Sequence, residues 1–112
     1  MENNKIKRIN SDIQKTISLI VNQKIKNKNL KYITITDVDT SRDLSYCKIY
    51  FTCLNKDDRN IVIKSLNKSS PYIRHELSKE LQLRKIPELK FIYDTLIEYE
   101  YHIDKVIENA NK

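Results

Sequence analysis

The side chains that could carry chemistry in this chain are few. Cys47 and Cys53 are its two cysteines, and they lie six positions apart in a stretch that alternates apolar and polar residues. At about 3.3 Å per residue of extended chain they stand roughly 20 Å apart, whereas a disulfide needs Cα atoms within about 7 Å. Each is therefore expected to be a small buried hydrophobe. His75 and His102 are isolated; neither has the spacing of a metal site or a partner that would make a nucleophile and base. The close carboxylate pairs, Asp57 with Asp58 and Glu76 with Glu80, suit a helix start and a solvent face. The sequence contains no glycine. Phosphate-cradling loops, dinucleotide fingerprints and nucleophile elbows all need glycine to turn sharply or to bring backbone against a ligand. A non-catalytic protein with no cofactor and no metal is expected.

What remains is electrostatic recognition. The net charge is +6 over 112 residues. Residues 1–31 hold eight basic side chains (Lys5, Lys7, Arg8, Lys15, Lys24, Lys26, Lys28, Lys31) against Glu2 and Asp12, so the whole excess sits in the first quarter. Residues 94–112 are locally acidic. A one-sided positive field attracts polyanions and speeds encounter with them, although a solvated lysine-rich face explains the same composition.

The elements that must position these charges follow from periodicity. Ile6, Ile9, Ile13, Ile17 and Ile20 recur at spacings of three and four, which lines one side of a basic helix over about residues 5–26. A β-branched strand is expected over Tyr32 to Val38. In the next stretch Cys47, Ile49, Phe51 and Cys53 share one strand face, while Tyr46, Lys48, Tyr50 and Thr52 point the other way. Tyr46 and Tyr50 are expected to be amphipathic core beneath a covering helix, with base stacking as the alternative. Asn55 to Asp58 starts a second helix with Ile61, Val62 and Leu66 on its apolar side. Ser69-Ser70-Pro71 is expected to end it, with Ser70 as N-cap and Pro71 as first residue of a third helix carrying Ile73, Leu77 and Leu81 inward. Pro87 suits the start or edge of a final strand in which Leu89, Phe91 and Tyr93 alternate. Ile103, Val106 and Ile107 suggest a short C-terminal helix. The order α-β-β-α-α-β predicts an α+β domain over residues 1–112, with helices packed on a three-stranded sheet.

Three boxes, "SRDLSYCKIY" from Ser41, "PYIRHEL" from Pro71 and "LRKIPELKFIYD" from Leu83, resemble in order and spacing the ribosome-binding factor A family, from about Ile6 to Ile107. The resemblance implies a type II KH-like fold whose relatives bind single-stranded RNA. The Gly-x-x-Gly loop by which ordinary KH domains clamp nucleotides is absent, and the family's helix kink would fall at Ser69-Ser70-Pro71. It further implies a factor that binds the immature small (30S) ribosomal subunit and its rRNA and assists late rRNA maturation. An assembly GTPase is an open further partner, and a monomer is expected.

The side chains expected to contact phosphate are Lys5, Arg8 and Lys15 from the first helix, Arg42 from the turn, and Arg74, Lys79, Arg84 and Lys85 around the third. Arg42 has the alternative of pairing with a neighbouring aspartate; Arg84 and Lys85 have that of stabilising a helix C-terminus. A different class of function, a protein-binding module docking its basic helix on an acidic partner, stands beside the RNA reading. No apolar run is long enough to cross a membrane, and no secretory signal is evident at the N-terminus, so a cytoplasmic or organelle-matrix location is expected.

Overall fold

The computed structural model describes residues 2–83 and 85–95. Helix α1 spans Glu2–Leu19 and its last turn widens at Ile20–Lys24, where the Ile25 N–H reaches back five residues to the Ile20 carbonyl at 3.2 Å. Strands β1 (Thr34–Thr40) and β2 (Tyr46–Thr52) form an antiparallel hairpin. Helix α2 (Arg59–Leu81) crosses over to β3 (Glu88–Tyr93), which pairs with β2 in parallel, so the sheet order is β1-β2-β3. Both helices pack on one face, α1 against β1 and α2 against β3. The expected α+β class, with helices on a three-stranded sheet, is the one observed.

The core is the meeting of the expected stripes. Ile13, Ile17, Ile20 and Val21 of α1 meet Cys47, Ile49 and Phe51 of β2, with Val62, Leu66, Ile73 and Leu77 of α2 beside Leu89 and Phe91 of β3. Phe51 is fully buried and its ring meets the edge of Tyr93 at 5.7 Å, a T-shaped geometry that aromatic quadrupoles favour. Cys47 is buried as expected, but Cys53 is only half-buried, its thiol donating to the Asn55 carbonyl at 3.1 Å.

Three expectations are corrected. The helix does not end at Ser69-Ser70: α2 runs through Pro71 without a break. Pro71 is exposed, so its ring lies on the solvent side, and the buried stripe Val62, Leu66, Ile73, Leu77 keeps one phase across it. Spacings of four, seven and four continue a single 3.6-residue period, and burial of that face outweighs the hydrogen bond that a proline omits. Ile61 faces outward, 52% exposed. Among the described residues no helix covers Tyr46 and Tyr50: Tyr46 is 59% exposed and Tyr50 half-buried. The expected C-terminal helix and most of the acidic segment lie outside the described residues, as does Arg84.

With no glycine available, three of the described residues take left-handed backbone: Tyr32 (φ 62°), Leu44 (φ 61°) and Gln82 (φ 48°). Gln82 ends α2 at the position where glycine is usual. For β-carbon-bearing residues this region costs about 1–2 kcal/mol, and asparagine tolerates it best. Tyr32 is 74% exposed and has little packing to lose, so Tyr32→Asn is expected to raise stability by about 0.5–1 kcal/mol in urea denaturation. Phe51→Ala should lower it by about 3–5 kcal/mol; a loss below about 1 kcal/mol would mean that Phe51 is not the centre of the core.

Candidate nucleic-acid interface

The basic helix is held in place by its own polar side chains. Asn10 accepts from the Thr40 N–H at 3.0 Å, and Gln14 donates to the Ile35 carbonyl at 2.9 Å. One turn apart on α1, these amides cover backbone groups of the edge strand β1 next to its irregularity at Ile35/Asp37, a place where an uncovered edge would invite pairing with another chain. The cations of α1 thereby acquire a fixed relation to the sheet.

The β1–β2 turn is built by side-chain hydrogen bonds. The Ser41 hydroxyl donates to Asp43 Oδ1 at 2.8 Å and accepts from the Ser45 and Tyr46 N–H groups; Asp43 Oδ1 also accepts from the Ser45 N–H at 3.1 Å. Hydrogen bonding from Ser45 and then Ser41 holds the Asp43 carboxyl down at about 2, with attraction from Lys85 a smaller contribution. That carboxylate is thus turned to its own loop. Arg42, exposed beside it, has no ion-pair partner among the described residues, so the aspartate-pairing alternative is not realised.

Parallel pairing brings the α2–β3 connection to this turn, where the Glu88 N–H donates to the Ser45 carbonyl at 2.9 Å. Arg74 reaches from α2 to the same connection, its Nε donating to the Pro87 carbonyl at 3.2 Å and its Nη2 to the Ile86 carbonyl at 3.0 Å. Two of its guanidinium nitrogens are therefore committed to backbone carbonyls, a structural role that the sequence alone does not show. Lys5 lines one cleft with Arg42, and Lys85 is near enough to act on Asp43. Lys5, Arg42 and Lys85, with Arg8 one turn along α1, form a basic corner at one end of the sheet.

Lys15 and Lys79 lie apart from it. Lys15 borders a groove with Lys24 and Glu80. Lys79 stands 3.6 Å from Glu76, which accepts a 2.9 Å hydrogen bond from Lys24; Lys24 is also 3.8 Å from Glu80. Lys24, counted in the sequence only as part of the basic excess, proves to be the tie between the end of α1 and α2. Lys48 and Lys90 are register partners on the exposed sheet face, legible from the alternation that placed them opposite the core.

Together these features define a small α-β-β-α-β domain whose ordered surface feature is a corner of cations on a rigid helix and turn; among the described residues no cluster of His, Cys, Asp or Glu is arranged to hold a metal. The chain belongs to the ribosome-binding factor A family, whose family model matches residues 5–107. Ribosome-binding factor A of Francisella tularensis subsp. novicida is 43% identical over 95% of this chain and 74% of its own length; that of Legionella pneumophila is 41% identical over 93% and 85%. The fold is shared with the crystal structure of ribosome-binding factor A from Thermus thermophilus (TM-score 0.72, 16% identity, covering 79% of this chain and 94% of that one). A putative ribosome binding factor A from Thermotoga maritima, solved by NMR, superposes with a TM-score of 0.69 at 27% identity, over 76% and 82%. Thermus thermophilus ribosome binding factor A fitted into a cryo-EM map of a 30S complex gives 0.65 at 16% identity, over 76% and 90%.

The Lys24 hydrogen bond holds the nearly buried Glu76 carboxyl below the usual carboxylate range, against the opposing effect of burial. A depressed carboxylate contributes stability above its unfolded pKa, about 4.3, and loses it as pH falls through the lower folded value. Glu76→Gln should therefore melt below the native protein at pH 7, with the gap closing as pH falls below about 4. A gap that stays constant from pH 7 to pH 3 would show that the pair adds nothing through charge.

Proposed function

We propose that this chain is a non-catalytic RNA-binding assembly factor that associates with the free, immature small (30S) ribosomal subunit and assists late maturation of its rRNA. The observation that carries the reading is the basic corner, in a chain whose family includes a member placed in a 30S complex. Lys5, Arg8, Arg42 and Lys85 are the phosphate contacts, drawn from α1, the β1–β2 turn and the α2–β3 connection. Lys15 and Lys79 extend the basic surface along the helices, where Glu76 and Glu80 temper it. Arg84 is proposed with them on its sequence position alone. Arg74 acts chiefly by holding the connection that carries Lys85.

Such a factor works by binding one conformation of its target more tightly than another, which is all that a ligand can do to shift an equilibrium. No covalent step is needed. Departure before translation follows if the mature subunit offers a poorer fit. The chain acts as a monomer in the cytoplasm, or in the matrix of an organelle; no helix among the described residues is long and apolar enough to cross a membrane.

Co-sedimentation with small and large subunits, and with small subunits from an assembly-defective strain, at two salt concentrations tests the reading. Salt-sensitive binding confined to small subunits is expected, because phosphate contacts release counterions. Arg8→Glu and Lys85→Glu should each weaken binding and flatten the salt dependence by about one unit of log–log slope. Failure of the folded protein to bind either small-subunit form would overturn the reading and favour an acidic protein partner.

A further inference from the structure

We infer that the cleft between the start of α1 and the β1–β2 turn is a pocket for a single unpaired nucleotide, its base on an aliphatic floor and its phosphate between Lys5 and Arg42. The inference rests on the RNA-binding reading and goes beyond it, because it assigns a site for the base as well as for the backbone.

The cleft measures about 500 Å³ and is lined by Lys5, Ile6, Ile9, Arg42 and Leu44, within the range of about 300–1,000 Å³ typical of small-ligand sites. Its composition is what separates it from a merely basic surface: among the described residues, two cations, three aliphatic side chains and no acid line it. Ile6, Ile9 and Leu44 are half-buried, whereas a surface that only repels water from a helix would not bring a turn residue from another element against the same stripe. Neither cation has an ion-pair partner among the described residues, and the Asp43 carboxylate next to Arg42 is bound to Ser41 and Ser45.

Leu44 forms one wall, and it holds left-handed backbone at φ 61°. Leucine pays a steric penalty there that glycine or asparagine would avoid, and the Ser41–Asp43–Ser45 network keeps it in place. Residues held in such sparsely populated backbone regions cluster at ligand sites. Here the outlier places an aliphatic side chain opposite Ile6 and Ile9. A base in a duplex has both faces stacked and cannot use such a wall. An unpaired base has free faces, which proteins hold between apolar side chains once the base is out of the stack, and Lys5 and Arg42 stand ready for the adjoining phosphate.

The test uses the full chain and two RNA probes of equal phosphate number, one single-stranded with 2-aminopurine at one position, the other fully paired. Tighter binding of the single strand, with a change in 2-aminopurine emission, is expected. Leu44→Asn, which relieves the backbone and makes the wall polar, should remain folded by thermal melting and lower the ratio of single-strand to duplex affinity about tenfold. Ile6→Gln should act in the same direction should the turn respond unexpectedly. Leu54→Ser, 84% exposed and beyond the opposite end of β2, should change nothing. Equal affinity for the two probes, or a ratio unchanged in both cleft variants, overturns the inference. If the native chain nevertheless co-sediments with small subunits, the ribosomal reading survives that failure. Loss of co-sedimentation itself would defeat the reading on which the pocket depends.

Discussion

The parallel pairing of β2 with β3 is the constraint on which the molecule's useful surface depends. Parallel strands cannot be joined by a tight turn, so α2 must carry the chain back along the sheet before β3 begins. Both strands then start at the same end, with Tyr46 beside Glu88. That geometry delivers the α2–β3 connection to the β1–β2 turn, and the Ser45 carbonyl and the Arg74 guanidinium fasten it there. An antiparallel third strand would have left Lys85 far from Arg42, and the positive charge would have been dispersed.

The lack of glycine shapes how this end is built. A turn that would ordinarily relax through glycine instead takes Leu44 into left-handed backbone and stabilises it with serine and aspartate hydrogen bonds. The same arrangement occupies Asp43 with its own loop and leaves Arg42 uncompensated. Rigidity and exposed charge thus have one origin. On the helical side the corresponding device is the pair Asn10 and Gln14, which fixes α1 to an edge strand while its lysines and arginine stay in water.

The face of the sheet opposite α1 and α2 is organised differently from the corner. Lys48, between Tyr46 and Tyr50 on β2, lies beside Lys90 of β3 across a parallel ladder. Like charges in adjacent register positions are unfavourable, whereas opposite charge faces Lys48 from Asp39 on the other side. That row, acid then two bases, offsets part of its own positive charge within the sheet.

Periodicity was enough for most of the elements and most of the core, because burial of one face imposes a period of two or 3.6 on the chain itself: Ile13, Ile17 and Ile20 of α1, the β2 alternation and the Leu89–Phe91 face stand where their spacing puts them. It also contained the continuity of α2, in the unbroken phase of Val62, Leu66, Ile73 and Leu77, although the local signal of Pro71 points to a break. The three boxes carried the family. The partners of the charged side chains were decided only in the folded molecule. Arg74 and Arg42 look alike as residues, yet one is tied to two carbonyls and the other is free among the described residues. Lys24 and Lys5 belong to the same basic run, yet one pairs with Glu76, 52 positions away, and the other faces a cleft. A cation's role is set by which acid or carbonyl lies within a few ångströms of it, and that neighbour comes from elements distant in sequence, brought there by strand order, crossover and turn.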